Sequence, residues 1–272
     1  MTRPIGSKRV PSGPSSYDKG QQAEEPCEAT SLTHGSEGGG GRATGLPKPT
    51  RWTFAWAGSD DVTESEWRDC TDPEEMFLFV RDRASDRKLR LFACACCRRV
   101  WHLLRDERSR NAVEVAERFA DGHATPGELE AARVAALAAW HAAWAGAVSE
   151  AEWDPARDAA WVACATASDG ASAAAAAAAG WKIEPGVRAD LFRDIFNMWP
   201  PALNPAWFTW QGGTVPKVAQ GIHDERAFDR FSILADALEE AGCDNAEILS
   251  HLRGPGPHCR GCWCLDLLLG KE

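Results

Sequence analysis

Apolar residues recur every three or four positions along most of the chain after residue 62, which is the period of an amphipathic helix. Runs of alternating β-branched residues joined by hairpin turns are absent from the sequence. The clearest helical face consists of apolar residues at this spacing: Leu89, Phe92, Ala93, Cys96, Val100, Leu103 and Leu104. The pattern predicts an all-α fold, built as an irregular multi-helix bundle.

Several short polar sequences stand where helices are expected to begin. Asp72, Thr125 and Asp154 each precede a proline, which is favoured at the first position of a helix. Ser85 and the segment 244–247 supply further capping side chains, whose oxygens accept hydrogen bonds from the free N–H groups of a first turn. These starts divide the chain into a series of helices of ordinary length.

An alanine-rich stretch lies in the middle of the chain. We expect it to form two helices, the second of which begins after Asp154 and runs through Trp161 to the alanines Ala173–Ala179. Alanine has a high helix propensity but buries little apolar area, so tryptophans must supply most of the packing. The sequence therefore predicts a protruding Ala/Trp-rich helical pair.

This stretch gives the chain three helical parts after an irregular beginning. Residues 62–125 form an N-terminal helical part and residues 126–184 form the Ala/Trp-rich arm. Residues 185–272 form a C-terminal helical part, which contains a corner rich in glycine, proline and cysteine.

The first 61 residues show neither a helical nor a strand period. Six prolines and the glycine run Gly38–Gly41 interrupt residues 1–61, which predicts a disordered N-terminal tail. The alternative is that translation begins at Val62, because helical sequence begins abruptly there and an internal GTG start codon reads as valine. Peptides from residues 1–61 in the native protein would exclude this alternative.

The overall charge and the cysteine content limit the class of protein. The chain has a net charge of −10, so no overall positive field favours nucleic acid or an anionic membrane. Ten cysteines in 272 residues are too sparse for a disulfide scaffold, and we expect them to stay reduced. No apolar run reaches the roughly 20 residues of a membrane-spanning helix. These observations favour a soluble cytoplasmic protein.

The stretch 254–264 is the richest source of candidate chemistry. It contains three glycines, two prolines, three cysteines and one histidine. Two of its cysteines have the C-x-x-C spacing of half a zinc site. The candidate ligands are Cys259, Cys262, Cys264 and His258, with His251 as a further candidate. The alternative is a rigid corner without metal, in which Cys262 and Trp263 pack into the core as apolar side chains.

Two other chemical interpretations start from local sequence. Cys259 and Cys262 also have the spacing of a redox pair, but the βαβ context of thioredoxin-like proteins is absent. Residues 81–110 carry ten Lys/Arg against four Asp/Glu, and Arg87, Arg98 and Arg105 on one face are candidates for binding phosphate or RNA. Because the rest of the chain is acidic, we favour pairing of these arginines within the domain over nucleic-acid binding.

Short motifs follow one another from residue 63 to residue 263. They are Glu66-Trp67 with Thr71-Asp72-Pro73, Ala84–Ala93 with Cys96–Arg99 and Trp101-His102, Leu191–Phe196, Asp224–Arg230, and Gly254–His258 with Arg260–Trp263. In these motifs the chain resembles an uncharacterised family that is expanded into many paralogues in planctomycete-type bacteria. Members of that family similarly begin near Thr63, and the resemblance implies no known activity. Cys259 and Cys264 stand where the resemblance leads us to expect apolar residues, which weakens a ligand role for both.

No recognisable catalytic motif is present. The histidines are scattered, and no nucleophile elbow, HExxH sequence or phosphate loop is found. The sequence therefore favours a cytoplasmic helical protein-interaction or scaffold domain over an enzyme, with another protein as its partner and with no cofactor. The alternative function is a small zinc-binding regulatory protein that uses Cys259 and Cys262.

Overall fold

The computed structural model describes residues 62–145, 155–179 and 183–271. These residues form helices and contain no strand, which confirms the predicted all-α fold class. The helices are α1 (Glu64–Asp69), α2 (Pro73–Val80), α3 (Asp86–Arg99), α4 (Glu107–Ala120), α5 (Pro126–Ala145), α6 (Pro155–Thr166), α7 (Gly170–Ala178), α8 (Pro185–Ile195), α9 (Pro205–Thr209), α10 (Thr214–Glu225), α11 (Phe231–Glu240), α12 (Ala246–Arg253) and α13 (Trp263–Leu269). The predicted tail, residues 1–61, lies outside the described residues.

Capping side chains begin the helices largely as the sequence predicts. The Asp72 carboxylate accepts from the backbone of α2, and Ser85 accepts from the Lys88 N–H at the start of α3. Thr125 and Glu128 form the reciprocal hydrogen bonds of a capping box. The face predicted to continue to Leu104 is shorter than expected, because α3 ends at Arg99 and a 3-10 turn follows.

The second half of the alanine-rich stretch forms two helices, α6 and α7, where we expected one. The Asp169 side chain accepts from the Ser172 N–H and starts α7 as a separate helix. A Cβ added to Gly170 would lie 2.4 Å from the Asp86 carbonyl oxygen, so only glycine permits this close approach of α7 to α3. Ala173 and Ala174 are consequently fully buried, and the small side chains allow tight helix packing instead of a thin, exposed helix.

Three buried apolar clusters surround α3. The first joins α3 to α1, α2, α7 and α8, and its centre is the stacked pair Phe92 and Phe192, whose rings lie 3.9 Å apart. The second joins the opposite side of α3 to α4, α5 and α6. The third lies among α9 to α13. The first cluster draws on all three predicted parts of the chain, and the proposed boundaries between those parts stay a prediction.

Ionic and polar contacts attach α3 to the C-terminal cluster. Arg87 donates to the buried carboxylates of Asp121 and Asp266, at 3.0 and 2.6 Å. The Lys88 ammonium donates to the Gly261 carbonyl at 2.8 Å. Because both cations belong to the first turn of α3, they fix α13 and the preceding corner against the centre of the fold.

The paired helices α5 and α6 pack on α3 and α4 and end in an exposed aromatic group. The rings of Trp140 and Trp161 lie 5.1 Å apart, and Trp144 contacts Trp140 edge-on. Trp144 and Trp161 are 44% and 46% exposed. Within the described part of the chain, no helix is long and apolar enough to cross a lipid bilayer.

Candidate metal centre

Four metal-ligating side chains meet beneath the Gly/Pro/Cys corner. They are Asp194 of α8, His251 of α12, His258 of the corner loop and Cys262 at the start of α13, and one ligand atom of each lies within 4.8 Å of all the others. Asp194 and Cys262 are 3% and 0% exposed, and the two histidines are partly buried. The group therefore joins three helices and a loop at one buried point.

The corner sequence sets the position of His258. Helix α12 ends at Arg253, and the chain then turns through Gly256, which has a φ of +88°. A Cβ at Gly256 would lie 2.7 Å from the His258 backbone nitrogen, so a larger residue would displace this histidine. Gly261, with a φ of +92°, allows the far side of the corner to pack directly on Leu91 of α3.

The distances between donor atoms are close to those of a tetrahedral zinc site. His258 Nδ1 lies 2.9 Å from Asp194 Oδ1, and His251 Nε2 lies 3.4 Å from the same oxygen. His251 Nε2 is also 3.1 Å from Cys262 Sγ. Zinc bonds of about 2.0–2.3 Å at tetrahedral angles place neighbouring donors roughly 3.3–3.8 Å apart. The other donor pairs lie within 4.8 Å, so a zinc ion would fit if the side chains rearranged around it.

Neighbouring polar groups orient these donors. His258 Nε2 lies 3.3 Å from the Gly254 carbonyl oxygen. In the tautomer that donates Nε2–H to this oxygen, a metal at Nδ1 would replace the proton that this nitrogen otherwise shares with Asp194 Oδ1. The Cys259 N–H and thiol both donate to Asp194 Oδ2, at 3.0 and 3.1 Å, while Asp194 Oδ1 faces the histidines. Metal-bound histidines and carboxylates characteristically have such supporting hydrogen bonds.

Burial and charge shift the ionisation of the acidic groups in this cluster. Burial alone would raise the pKa of the Asp194 carboxyl, but hydrogen bonds from His251 and His258 outweigh it and hold the pKa below its ordinary value. Burial, followed by the nearby Asp194 charge, raises the pKa of the Cys259 and Cys262 thiols well above its ordinary value. A metal ion at Cys262 would displace the thiol proton, as metal binding generally does.

The structure brings together part of the ligand set considered from the sequence. His258, Cys262 and the further candidate His251 belong to the cluster, and Cys259 contacts it through Asp194. Cys264 is not among these ligands, and its side chain is fully buried in the C-terminal apolar cluster.

Asp194 is the candidate ligand that the sequence did not indicate. It lies 64 residues before His258 within the motif Leu191–Phe196, where an isolated aspartate in a helix gives no indication of a metal site. A single aspartate among apolar neighbours on the buried face of α8 is the one signal that could have been used.

The raised thiol pKa values weaken the redox interpretation of Cys259 and Cys262. A redox pair requires a thiolate near neutral pH, whereas burial keeps both of these thiols protonated in the absence of a metal. Cys262 is the N-cap residue of α13. Its position is therefore better suited to binding a metal than to thiol exchange.

The basic segment 81–110 pairs extensively with carboxylates of the same chain. Arg87 binds Asp121 and Asp266, and Arg98 binds the buried Glu117 through two nitrogens, at 3.0 and 2.7 Å. These contacts agree with the expected pairing of arginines within the domain.

A small cavity of about 200 Å³ gives access to three of the four candidate ligands. Its lining includes Asp194, His251 and His258 together with the Gly254–Pro257 turn. An ion could therefore reach the donors without unfolding of the corner. No protein-family model, curated protein or solved structure matches the chain.

Proposed function

We propose that the protein binds one zinc ion through Asp194, His251, His258 and Cys262. The observation that carries the proposal is the convergence of these four donors within 4.8 Å from separate elements of the fold. In this role the ion would join α8, α12 and the start of α13, and would hold the C-terminal corner in place.

The donor types support zinc over other metals. Two imidazoles, a thiolate and a carboxylate form a mixed set that suits a tetrahedral zinc ion, whereas magnesium and calcium require oxygen donors. A copper electron-transfer site would place a weak axial ligand beside two histidines and a cysteine. Asp194 instead supplies a strong carboxylate donor, which favours zinc.

The ligand count supports a structural ion. Four protein donors fill a tetrahedral site, while a catalytic zinc ion usually has three and leaves one position for water. Asp194 and Cys262 are almost completely buried, which restricts the space for a substrate at the metal. We therefore propose a stabilising role, without a reaction at the metal.

Metal analysis of the full chain, purified without an affinity tag, tests the proposal. We expect one zinc per wild-type chain and loss of that zinc in Cys262→Ala. The matched control is Cys264→Ala, because Cys264 is as deeply buried as Cys262 but lies outside the group of four. The control should retain zinc, which separates loss of a ligand from general damage to the core.

Substitution of cobalt for zinc gives a second readout. Tetrahedral cobalt bound to a thiolate has intense visible absorption and a sulfur-to-metal charge-transfer band. The Cys262→Ala variant should lose the charge-transfer band. Absence of stoichiometric metal from the wild-type protein, together with failure of the metal-free protein to take up added zinc or cobalt, would refute the proposal.

A protein-interaction role is the second candidate function. Three of the four large apolar side chains that are most exposed in the described residues lie on the α5–α6 pair, namely Val134, Trp144 and Trp161. Exposed apolar surface of this kind is typical of contact sites between proteins. We propose a second copy of this chain as the occupant, because two such surfaces would bury each other's tryptophans.

A further inference from the structure

A second cavity, of about 360 Å³, lies on the other side of the corner between α3, α4 and the end of α10. Its volume falls in the range of small-molecule binding pockets. Its charged lining residues are Arg98, Arg99, Glu117, Arg226 and Arg260. It shares His258 with the cavity that gives access to Asp194 and His251, and the other residues of the two linings differ.

The charge of this cavity is strongly positive in an acidic protein. Four arginines line it, and Glu117 is the single carboxylate among the lining residues, so the lining has an excess of three positive charges. The whole chain, by contrast, has a net charge of −10. Converging guanidinium groups recognise phosphate and carboxylate groups because each presents N–H donors in a planar fork.

Two of the arginines are held in position before any ligand binds. The buried Glu117 carboxylate accepts from both Arg98 and Arg226, at 2.7 and 2.5 Å. The Arg98 guanidinium also lies 4.1 Å from the centre of the Trp101 ring. Arg226 has a left-handed backbone with a φ of 55°, which is an unfavourable conformation for a residue other than glycine. In this conformation the Arg226 side chain reaches Glu117.

The remaining two arginines have hydrogen-bonding capacity to spare. Arg99 is exposed and makes no ion pair or hydrogen bond with another described residue. Arg260 pairs with Asp121 at 3.2 Å through one terminal nitrogen, and its buried Nε has no partner in the described part of the chain. An anion in the cavity would supply acceptors for these groups.

Apolar side chains form the rest of the lining. Leu91, Leu191 and Phe228 provide a surface for an organic group beside the arginines. A phosphate monoester has a charge of about −1.5 to −2 at neutral pH and three acceptor oxygens, which matches the excess of positive charge better than a single carboxylate does. We propose that this cavity binds a small organic phosphate monoester, with the phosphate among the arginines and the organic group against the apolar side chains.

Calorimetric titration of the full chain with phenyl phosphate tests this inference. We expect saturable binding of one phenyl phosphate per chain, weaker binding of inorganic phosphate and no binding of phenol. The substitution Arg226→Asn removes the guanidinium and introduces a residue that tolerates the left-handed backbone. It should weaken phenyl phosphate binding by about tenfold or more. Arg99→Gln should weaken it in the same direction, and added salt should weaken binding to the wild-type protein.

Arg105→Gln is the matched control for the loss of one positive charge. Arg105 is exposed on the neighbouring segment and is not among the residues that line the cavity. The Arg105→Gln variant should bind phenyl phosphate with the same affinity as the wild-type protein. Absence of saturable binding to the wild-type chain, equal effects of the Arg105 and Arg226 substitutions, or equal binding of phenol would overturn the inference. The zinc content of the arginine variants, measured in the same samples, should equal that of the wild-type protein. The outcome of the phosphate-binding experiment is then independent of the metal proposal.

Discussion

Asp194 binds different partners with its two carboxylate oxygens. Oδ1 faces the imidazoles of His251 and His258, and Oδ2 accepts from the Cys259 backbone N–H and thiol. Replacement of a buried carboxylate would therefore affect the corner from both sides. The same arrangement explains how an aspartate that is 3% exposed can remain ionised.

Replacement of Trp263 tests how strongly the corner contributes to stability. Trp263 is 7% exposed, and its ring lies 4.9 Å from the His251 ring. We expect Trp263→Ala to lower the free energy of unfolding by about 3–5 kcal/mol, because it removes a large buried aromatic side chain. Urea unfolding in the presence of a chelator measures this packing contribution without the metal.

Trp161→Ala provides the comparison for that experiment, since Trp161 is 46% exposed. Trp161→Ala should lower the free energy of unfolding by clearly less than Trp263→Ala does. Similar losses for the two substitutions would show that burial in the corner does not set the stability of this region.

At the scale of residues, residue type and spacing predicted part of the side-chain cluster beneath the corner. Cysteine and histidine in a short stretch indicated a candidate metal site, and the structure brings His258 and Cys262 together, while metal binding itself stays a prediction. Cys264 follows Cys262 by two positions in a helical segment, and side chains at that spacing point in different directions. The contribution of Asp194 depends on the packing of α8 against the corner, which no local pattern reveals.

At the scale of elements, α3 determines where the others lie. Its two sides belong to different apolar clusters, and Arg87 and Lys88 attach it to the third. Local capping signals were sufficient to predict most helix starts. The separation of α7 from α6 was not predicted, although Asp169 supplies a local capping side chain for α7. The close approach of Gly170 to the backbone of α3 is a tertiary contact that the local sequence does not reveal.

The exposed tryptophans of the α5–α6 pair give a prediction about self-association. We expect the sedimentation coefficient of the wild-type protein to rise with concentration. The double substitution of Trp144 and Trp161 by alanine should weaken this association by at least about tenfold, as expected for central aromatic contacts.

Ile233→Ala is the matched control for the tryptophan substitutions. Ile233 is 54% exposed on α11, away from the α5–α6 pair, so its loss should leave the association unchanged. A wild-type protein that stays monomeric at all concentrations, or a double variant that associates normally, would refute self-association through this surface.

For the whole molecule, the large number of buried free thiols has consequences for pH dependence. Nine cysteines in the described residues are free, and burial raises the pKa of each of them above its ordinary value: Cys70, Cys94, Cys96, Cys97, Cys164, Cys243, Cys259, Cys262 and Cys264. A thiol with a raised pKa keeps its proton in the folded state after the unfolded chain has lost it. Ionisation therefore favours unfolding at alkaline pH.

The free energy of unfolding should decrease as the pH rises above about 8.5, the ordinary pKa of a cysteine. Burial raises the pKa of Cys96 to about 12, so its contribution is complete below pH 8.5 and is lost progressively from there to pH 12. We expect the contribution of Cys96 alone to the free energy of unfolding to fall by about 1 kcal/mol between pH 9 and pH 10. Urea unfolding under reducing conditions at several pH values measures the slope.

Cys96→Ala provides the comparison for the pH dependence. This variant can be less stable than the wild-type protein at pH 7. Its free energy of unfolding should nevertheless decrease less between pH 9 and pH 10 than that of the wild-type protein. Equal slopes in the two proteins would show that Cys96 ionises equally readily in the folded and unfolded chains.

The long separation between Asp194 and its partners affects the order in which the fold can be completed during synthesis. His258 is made 64 residues after Asp194, so α8 is available to pack well before the groups that compensate its buried charge exist. Until the corner emerges from the ribosome, the Asp194 carboxylate must stay in water or be buried without a partner, which is costly. A nonsense codon before residue 251 would remove both histidines and Cys262, and would thereby destabilise a helix that had itself been translated intact.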